Sequence, residues 1–255
     1  RPDGAGWQGQ VALMTVKGDV DNLGRIFQAG LAQPTFARMA ALSRQINAFF
    51  AVWLPAWCAA HYPDTYTVFA GGDDFFLIGP WHATQRLTAD MAAHFTRYVA
   101  GNPELHFSAG MVMSKPGLPI HTLASQAEEA LEAAKGQGKD ALVVFGQRVA
   151  WADWPKLAAA ADELDGLDRD YRLSTGYVYG MLRLVDLASA PHNPESPLWR
   201  SRFAYRTRRY VVDKLPPDAR ATAQARLAAG IGERGIASLG GAYRIPLFNY
   251  FYRQR

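Results

Sequence analysis

Acidic residues follow two separate apolar segments of this chain, and their types and spacing could support metal-dependent chemistry. Residues 18–24 read Gly-Asp-Val-Asp-Asn-Leu-Gly after the apolar segment 11–17, and residues 71–74 read Gly-Gly-Asp-Asp between two apolar runs. Asp and Gly are also common in plain turns, so the second motif alone does not decide between a site and a turn. Two acidic strand ends together favour a site, whose acidic members are Asp19, Asp73 and Asp74.

Carboxylates gathered at one sheet edge repel one another unless cations neutralise them. Mg²⁺ prefers one or two carboxylates together with phosphate oxygens of a substrate. Two such ions, about 3.5–4 Å apart, stabilise the attacking and leaving oxygens of an in-line displacement. We therefore expect Asp19, Asp73 and Asp74 to be catalytic and to hold two Mg²⁺ or Mn²⁺ ions.

Glycine-containing turns and two lysines are candidates for binding the triphosphate of a nucleotide. Backbone N–H groups in turns at strand ends often bind phosphate. Residues 134–140 read Ala-Lys-Gly-Gln-Gly-Lys-Asp, with lysines four residues apart. A lysine near a helix C-terminus also complements the helix dipole, so a purely structural role for Lys135 stays open. The candidate nucleotide-binding residues are Asn22, Leu23, Gly24, Gly71, Gly72, Lys135 and Lys139.

The hydrophobic pattern predicts the elements that must position these residues. Alternating and apolar runs predict strands, and apolar residues at helical spacing predict helices. The predicted order is β-α-β-β-α-β-α-β, an α+β ferredoxin-like or palm fold with a mainly antiparallel sheet and helices on one side. Strands are predicted at 11–19, 106–113 and 141–146 and as a hairpin over 66–79; helices are predicted at 35–61 (bent at Pro55), 82–100 and 121–135.

Beyond residue 150 the pattern becomes helical throughout. Helices are predicted at about 154–165, 170–189, 197–213 and 217–234. We therefore expect two domains: residues 1–149, which contain the acidic motifs, and residues 150–255, an all-α domain.

Composition excludes several classes of protein. The chain has 255 residues, a net charge of +4 and one cysteine. A single thiol excludes an internal disulfide and a cysteine-rich zinc site, and Cys58 lies in an apolar run where we expect it to be buried. No apolar run reaches 18 residues, so we expect no membrane span and a cytoplasmic protein. Because the chain begins at Arg1 and not at Met, we expect it to be part of a longer protein.

The motifs resemble those of the palm domains shared by GGDEF diguanylate cyclases and the large subunit of type III CRISPR effector complexes. The resemblance runs in order through residues 11–146, including the strand 107–110 (Phe-Ser-Ala-Gly). Gly-Gly-Asp-Asp in place of GGDEF resembles the CRISPR subunit, and the ending Tyr243–Tyr250 resembles its helical C-terminal domain, with the Csm-type branch favoured.

A difference from the diguanylate cyclases supports this choice. In that family an Asn and an Asp downstream of the first strand read the guanine edge, and ungapped spacing places Phe27 and Phe36 at these positions. Phenylalanine cannot make those hydrogen bonds, and losing them removes the discrimination they provide.

The resemblance implies an ATP-polymerising cyclase that makes cyclic oligoadenylate. Its implied partners are ATP, the other subunits of the complex, and guide and target RNA bound through the complex, with target RNA switching on the activity. It also implies a nuclease domain and a first palm domain, neither of which we expect within these residues. The isolated chain is therefore expected to turn over poorly. The alternatives are a free-standing diguanylate cyclase and a palm that acts only as a scaffold.

Residues 199–210 (WRSRFAYRTRRY) interleave arginines with aromatic residues. Such a pattern can bind RNA by stacking and phosphate contacts. Helical spacing of Phe203 and Tyr210 is also typical of core residues, and arginine stems cover apolar surface. We favour a solvated helix face or a protein interface over direct RNA contact.

Overall fold

The structure is a computed structural model that describes residues 9–31, 33–136, 138–190 and 192–254. These residues divide into two units, one of residues 11–152 and one of residues 153–254 with residues 9 and 10. The first unit contains the sheet and both acidic motifs.

Six strands form one sheet in the order β2-β3-β1-β4-β5-β6. The strands are β1 Leu13–Val20, β2 Tyr66–Gly71, β3 Asp74–Pro80, β4 Phe107–Ser114, β5 Ala141–Val144 and β6 Gln147–Ala150. Strands β4 and β5 pair in parallel and the other pairs are antiparallel. The first four strands have the ferredoxin-like arrangement, so the α+β prediction is confirmed. Strand β6 was not predicted, because its polar residues leave only Val149 fully buried.

The helices of the first unit are α1 Leu23–Arg25, α2 Phe36–Ala48, α3 Leu54–His61, α4 Trp81–Tyr98 and α5 Ile120–Lys135. The long helix predicted over 35–61 is interrupted by a π-helical segment, Phe49–Trp53, which ends two residues before Pro55. Proline lacks the N–H that an α-helical interior needs, which accounts for the interruption. Cys58 is buried in α3, as expected.

An aromatic core covers one face of the sheet. Phe50 before α3 stacks on Phe75 of β3 with ring centroids 5.4 Å apart, and both rings approach Phe107 of β4. The ring of Phe75 lies over Gly18, where an added Cβ would come within 2.2 Å of it. The glycine before Asp19 therefore lets this core close directly behind the acidic strand end.

Helix α5 covers the opposite face, so the prediction that the helices lie on one side is wrong. Glu128 of α5 bonds to Lys17 of β1, which points away from the aromatic core because side chains alternate along a strand. An added Cβ at Gly110 of β4 would lie 2.2 Å from the backbone N of Leu131. This approach between strand and helix brings the end of α5 to the end of β1.

The regular elements described in the second unit are all helices. Its helices are α6 Trp154–Tyr171, α7 Thr175–Ala188, α8 Trp199–Tyr210, α9 Pro217–Leu227 and α10 Arg244–Gln254. A π-helical segment, Ala228–Ala237, continues α9. Helix α10 was not predicted: Pro246 interrupts the sequence pattern, but it lies in the first turn, where its missing N–H is tolerated. Across the described residues, no helix combines the length and apolar character needed to cross a bilayer.

Candidate active site

Strand pairing brings the two acidic motifs together. Asp19 at the end of β1 lies opposite Asp74 at the start of β3. The hairpin turn is tied to the same strand end, since the backbone N–H of Val20 donates to the carbonyl of Asp73 at 2.9 Å. Asp19, Asp73 and Asp74 are thus neighbours although Asp73 follows Asp19 by more than fifty positions in the sequence.

The three carboxylates act on one another electrostatically. Burial raises the pKa of the Asp74 carboxyl, and the charges of Asp73 and Asp19 raise it further, while Lys17 opposes them. Burial also raises the pKa of Asp19, against the lowering effect of Lys135. Ionising this site therefore costs free energy that a bound cation would recover.

The donor set fits a hard divalent cation only if a ligand completes it. Within the described ranges, no group of three or more His, Cys, Asp or Glu side chains is placed to hold a metal ion. Mg²⁺ commonly takes one or two protein carboxylates and fills its remaining positions with water and phosphate oxygens. Asp19 and Asp74 suit such a site when a triphosphate is present.

Lys135 at the end of α5 reaches the acidic strand end. Its Nζ donates to Oδ2 of Asp19 at 2.6 Å and lies 3.8 Å from Glu132. Partial burial disfavours the protonated lysine, but the hydrogen bond and the charge of Asp19 outweigh it, so the pKa of Lys135 is raised. Sequence reasoning expected this ammonium to face phosphate; in the structure it is bound to Asp19.

Lys139 lies in a loop whose backbone is unusually constrained. Lys139 and Asp140 have φ angles of 56° and 47°, a left-handed conformation that is costly without glycine and persists where surrounding contacts fix it. Nζ of Lys139 donates to Oδ1 of Asn22 at 2.7 Å, which ties this loop to the turn after β1. Gln137, part of the same sequence motif, lies outside the described residues.

Asp21 fixes the geometry of this loop, a role that sequence reasoning missed. Its side chain is buried and accepts hydrogen bonds from Ser108 and from the backbone N–H of Asp140. His106 lies 2.7 Å from the same carboxylate, and this bond raises the pKa of His106 although burial opposes the shift. The sequence does show that Asp21 follows Asp19 by two residues. This spacing alone could not show that the side chain of Asp21 is buried in the protein.

The glycines expected to bind phosphate, and the residues next to them, take different positions in the structure. Gly72 has a φ of 66°, and its N–H donates to Oδ1 of Asn47 at 2.7 Å. Asn47 on α2 thus holds the acidic hairpin, a contact for which the sequence gives no signal. Gly71 ends β2, while Gly24 lies in α1 with open space at its Cβ position. Leu23 begins α1 after Asn22, whose φ is 58°.

The two phenylalanines that distinguish this chain from the diguanylate cyclases take different positions. Phe27 is half-buried in the π-helical segment Ile26–Gly30, directly after α1. Phe36 begins α2 and is 88% exposed. Neither side chain can accept or donate the hydrogen bonds that a guanine edge requires.

The basic run of α8 forms mostly internal contacts. Phe203 is buried, as its spacing predicted, whereas Tyr210 is 40% exposed and is not a core residue. Arg200 and Arg202 pair with glutamates, and Arg206 donates to backbone carbonyls at the start of α7. These contacts favour a structural use of several of the arginines over direct RNA binding.

Arg148 of β6 also supports the site, and sequence reasoning did not identify it. We expect Arg148→Ala to loosen the loop that contains Lys139. Its guanidinium donates to the carbonyls of Ala134 (2.9 Å) and Lys139 (3.1 Å), joining the end of α5 to the loop. Charged hydrogen bonds of this kind contribute about 1.5–3 kcal/mol each. Thermal unfolding and hydrogen exchange of the Lys139 amide would measure the loss.

The matched control is Arg97→Ala, which removes an exposed arginine of α4. If both variants lowered stability equally and left exchange in the loop unchanged, Arg148 would have no specific role there.

Comparison with known proteins places these observations in a family. The model of the Cas10/Cmr2 second palm domain matches residues 12–143. A Cas10/Csm1 single-strand-specific deoxyribonuclease of subtype III-A from Methanocaldococcus jannaschii is 32% identical over 160 residues, covering 53% of this chain and 20% of that protein. The corresponding protein of Streptococcus thermophilus is 34% identical over 139 residues, covering 52% and 18%.

Solved structures show the same fold. Csm1 of T. onnurineus has a TM-score of 0.73 at 22% identity, covering 98% of this chain and 39% of that one. A Csm1–Csm4 cassette in complex with pppApApA has a TM-score of 0.70 at 20% identity, covering 95% and 37%.

The chain spans about a fifth of the length of these curated relatives. Both are Cas10/Csm1 proteins of subtype III-A, so the prediction of a Csm-type large subunit is confirmed. Since the family model covers more than half of the residues, this chain belongs to the Cas10/Cmr2 family and contains its second palm domain.

Proposed function

We propose that this chain carries the ATP-polymerising site of a type III CRISPR effector complex and produces cyclic oligoadenylate with 3′–5′ linkages. The β1–β3 register carries the proposal, because it sets Asp19 opposite Asp74 beside the turn that contains Asp73. Lys135 and Lys139 approach the same strand end from a second direction. Carboxylates next to lysines suit a metal–triphosphate substrate, because the carboxylates can hold the metal and the lysines can bind phosphate oxygens.

Each group of residues has a distinct role in this proposal. Asp19, Asp73 and Asp74 would hold two Mg²⁺ or Mn²⁺ ions. When bound, the ions would supply Lewis-acid stabilisation of the attacking 3′-oxygen and the departing pyrophosphate. Lys135 and Lys139 bind the β- and γ-phosphates and orient the triphosphate. The 3′-oxygen forms a bond to the α-phosphorus, the bond from that phosphorus to the β-phosphate breaks, and the proton leaves to solvent.

ATP is the proposed substrate, and GTP is the competitor to exclude. Phe27 and Phe36 cannot supply the polar groups that read guanine in the diguanylate cyclases, which disfavours that alternative. Csm1–Csm4 structures of similar fold are in complex with pppApA, cA4 and one ATP. We carry these ligands over to this chain as part of the proposal.

The partners are proposed on the same basis. Csm1 relatives are seen with Csm4, in one case as a subcomplex of the type III-A CRISPR–Csm interference complex. We propose that this chain acts in such a complex in the cytoplasm, that guide and target RNA reach it through the complex, and that its own turnover is low.

One observation favours a scaffold role instead. The carboxylate of Asp19 is bonded to Lys135, and the described residues contain no group of three or more His, Cys, Asp or Glu side chains placed to hold a metal ion. A scaffold palm would keep this ion pair permanently. A catalytic palm must open it when substrate arrives.

A product assay separates these functions. The large subunit, assembled in its complex with target RNA, would be incubated with radiolabelled ATP or GTP and Mg²⁺ or Mn²⁺, and products resolved by chromatography. We expect oligomers from ATP that unlabelled GTP does not suppress. Dimeric products from GTP would favour the diguanylate cyclase, and no product from either nucleotide would favour the scaffold.

A further inference from the structure

Both lysines expected to bind phosphate are bonded to the end of β1 or to the turn that follows it. Nζ of Lys135 lies 2.6 Å from Oδ2 of Asp19, and Nζ of Lys139 lies 2.7 Å from Oδ1 of Asn22. These contacts join the end of α5 and its following loop to the end of β1 across more than a hundred residues. A lysine that serves only a helix dipole would not make such a contact.

The charge of Lys135 partly compensates the acidic cluster. Asp19 is surrounded by the charges of Asp73 and Asp21, both of which disfavour its ionised form. The ammonium of Lys135 is the group that stabilises that form directly. Both side chains of the pair are mostly buried, with 20% of the lysine and 29% of the aspartate exposed, so solvent screens the pair only in part.

A divalent cation bound at Asp19 would compete with Lys135 for the carboxylate. A metal bound at Asp19 would repel the ammonium 2.6 Å away. Triphosphate removes the conflict, because its oxygens give the displaced lysine a new anionic partner. Metal alone must therefore break the ion pair without compensation, whereas metal with nucleotide replaces it.

We propose that Lys135 is a counter-ion switch: it pairs with Asp19 and moves to the triphosphate when metal and nucleotide bind together. This inference rests on the proposed function and adds that metal and nucleotide bind cooperatively. Because coupling between two ligands is reciprocal, ATP strengthens metal binding and metal strengthens ATP binding. The switch keeps metal affinity low until nucleotide arrives.

The test measures Mn²⁺ binding to the purified chain by isothermal titration calorimetry, with and without α,β-methylene ATP, which has no cleavable α–β bridge. Lys135→Met frees Asp19, so we expect Mn²⁺ alone to bind about fivefold more tightly than to the unmodified chain. It also removes the phosphate partner, so the analogue should bind about tenfold more weakly. Opposite effects on the two ligands are the signature of a switch.

Three further variants distinguish the switch from a general effect of charge or of folding. Lys115→Met removes the same charge from an exposed residue after β4 and should change neither affinity. Lys135→Arg keeps the charge and should restore most of the coupling between Mn²⁺ and the analogue. Lys135→Gln serves as the neutral variant should Lys135→Met fail to fold.

The outcomes separate the inference from the proposed function. If the unmodified chain binds Mn²⁺ with the analogue but the neutral Lys135 variants bind Mn²⁺ no more tightly, the switch is wrong and the site survives. If the unmodified chain binds neither ligand, or binds them equally well after Asp73→Ala with Asp74→Ala, the proposed site itself is wrong.

Discussion

Replacing Asp73 and Asp74 together by alanine is expected to abolish nucleotide polymerisation while leaving the fold intact. Metal stabilisation of a transferring phosphoryl group is worth several kcal/mol, so its loss should lower the rate roughly a thousandfold or more. The product assay on the assembled complex, with labelled ATP and target RNA, measures this loss.

Stability of the double variant should not fall. Burial and the charges of Asp73 and Asp19 raise the pKa of Asp74 above its usual value. Its ionised form therefore opposes folding at neutral pH, and removing it should leave the melting temperature unchanged or higher. The backbone carbonyl at position 73, which accepts from Val20, remains.

The matched control for this variant is Asp64→Ala with Glu104→Ala. It removes two charges from exposed positions of the same unit and should retain full activity. Polymerisation that survived the loss of Asp73 and Asp74, or that fell equally in the control, would contradict the assignment of these residues.

Gly110→Ala is expected to destabilise the first unit strongly, although it adds only one methyl group. The new Cβ would lie 2.2 Å from the backbone N of Leu131 and 2.6 Å from the backbone O of Ala127. Backbone atoms of a packed helix cannot rotate away, so α5 must move as a body. Overpacking costs typically 1–3 kcal/mol and occasionally more, and we expect about 3 kcal/mol or more.

Chemical denaturation of the first unit, followed by hydrogen exchange on β4 and α5, measures this effect. The control is Gly176→Ala in α7, where an added Cβ meets nothing within 4 Å and the better helix propensity of alanine should be neutral or stabilising. Equal unfolding free energies for the two variants would mean that α5 does not pack closely against β4.

The acidic motifs could be predicted because their signals are local. Residues 18–24 and 71–74 each follow an apolar segment that the sequence marks as a strand. The first of these strands, β1, is eight residues long. A palm arrangement then requires β1 to lie beside the hairpin, which is where the structure places Asp19 and Asp74. The α+β class follows from the same periodicities.

The residues that hold the site in place could not be found this way. Asp21, Asn47 and Arg148 act through contacts with residues 9 to 119 positions away, and nothing in their neighbouring sequence marks these partners. Strand β6 and helix α10 were missed for a related reason. A polar edge strand and a helix with proline in its first turn are both defined by tertiary packing and not by their own pattern.

The faces of the sheet illustrate the same limit. Periodicity indicates that α5 is amphipathic, but it does not say which face of the sheet the helix covers. Two residues on the face opposite the aromatic core decide this. Gly110 leaves room for the backbone of α5, and Lys17 bonds to Glu128 of that helix. Because α5 covers this second face, Lys135 at the end of the helix reaches Asp19 at the end of β1.

The most direct test of the site is a crystal structure of this chain with Mn²⁺ and α,β-methylene ATP, using anomalous scattering to locate the metal. We expect anomalous peaks about 2.1 Å from carboxylate oxygens of Asp19 and Asp74, the triphosphate beside Lys139, and Lys135 moved from Asp19 to a phosphate oxygen. Lack of anomalous density at these aspartates with nucleotide bound elsewhere would contradict a metal-dependent nucleotide site at this end of the sheet.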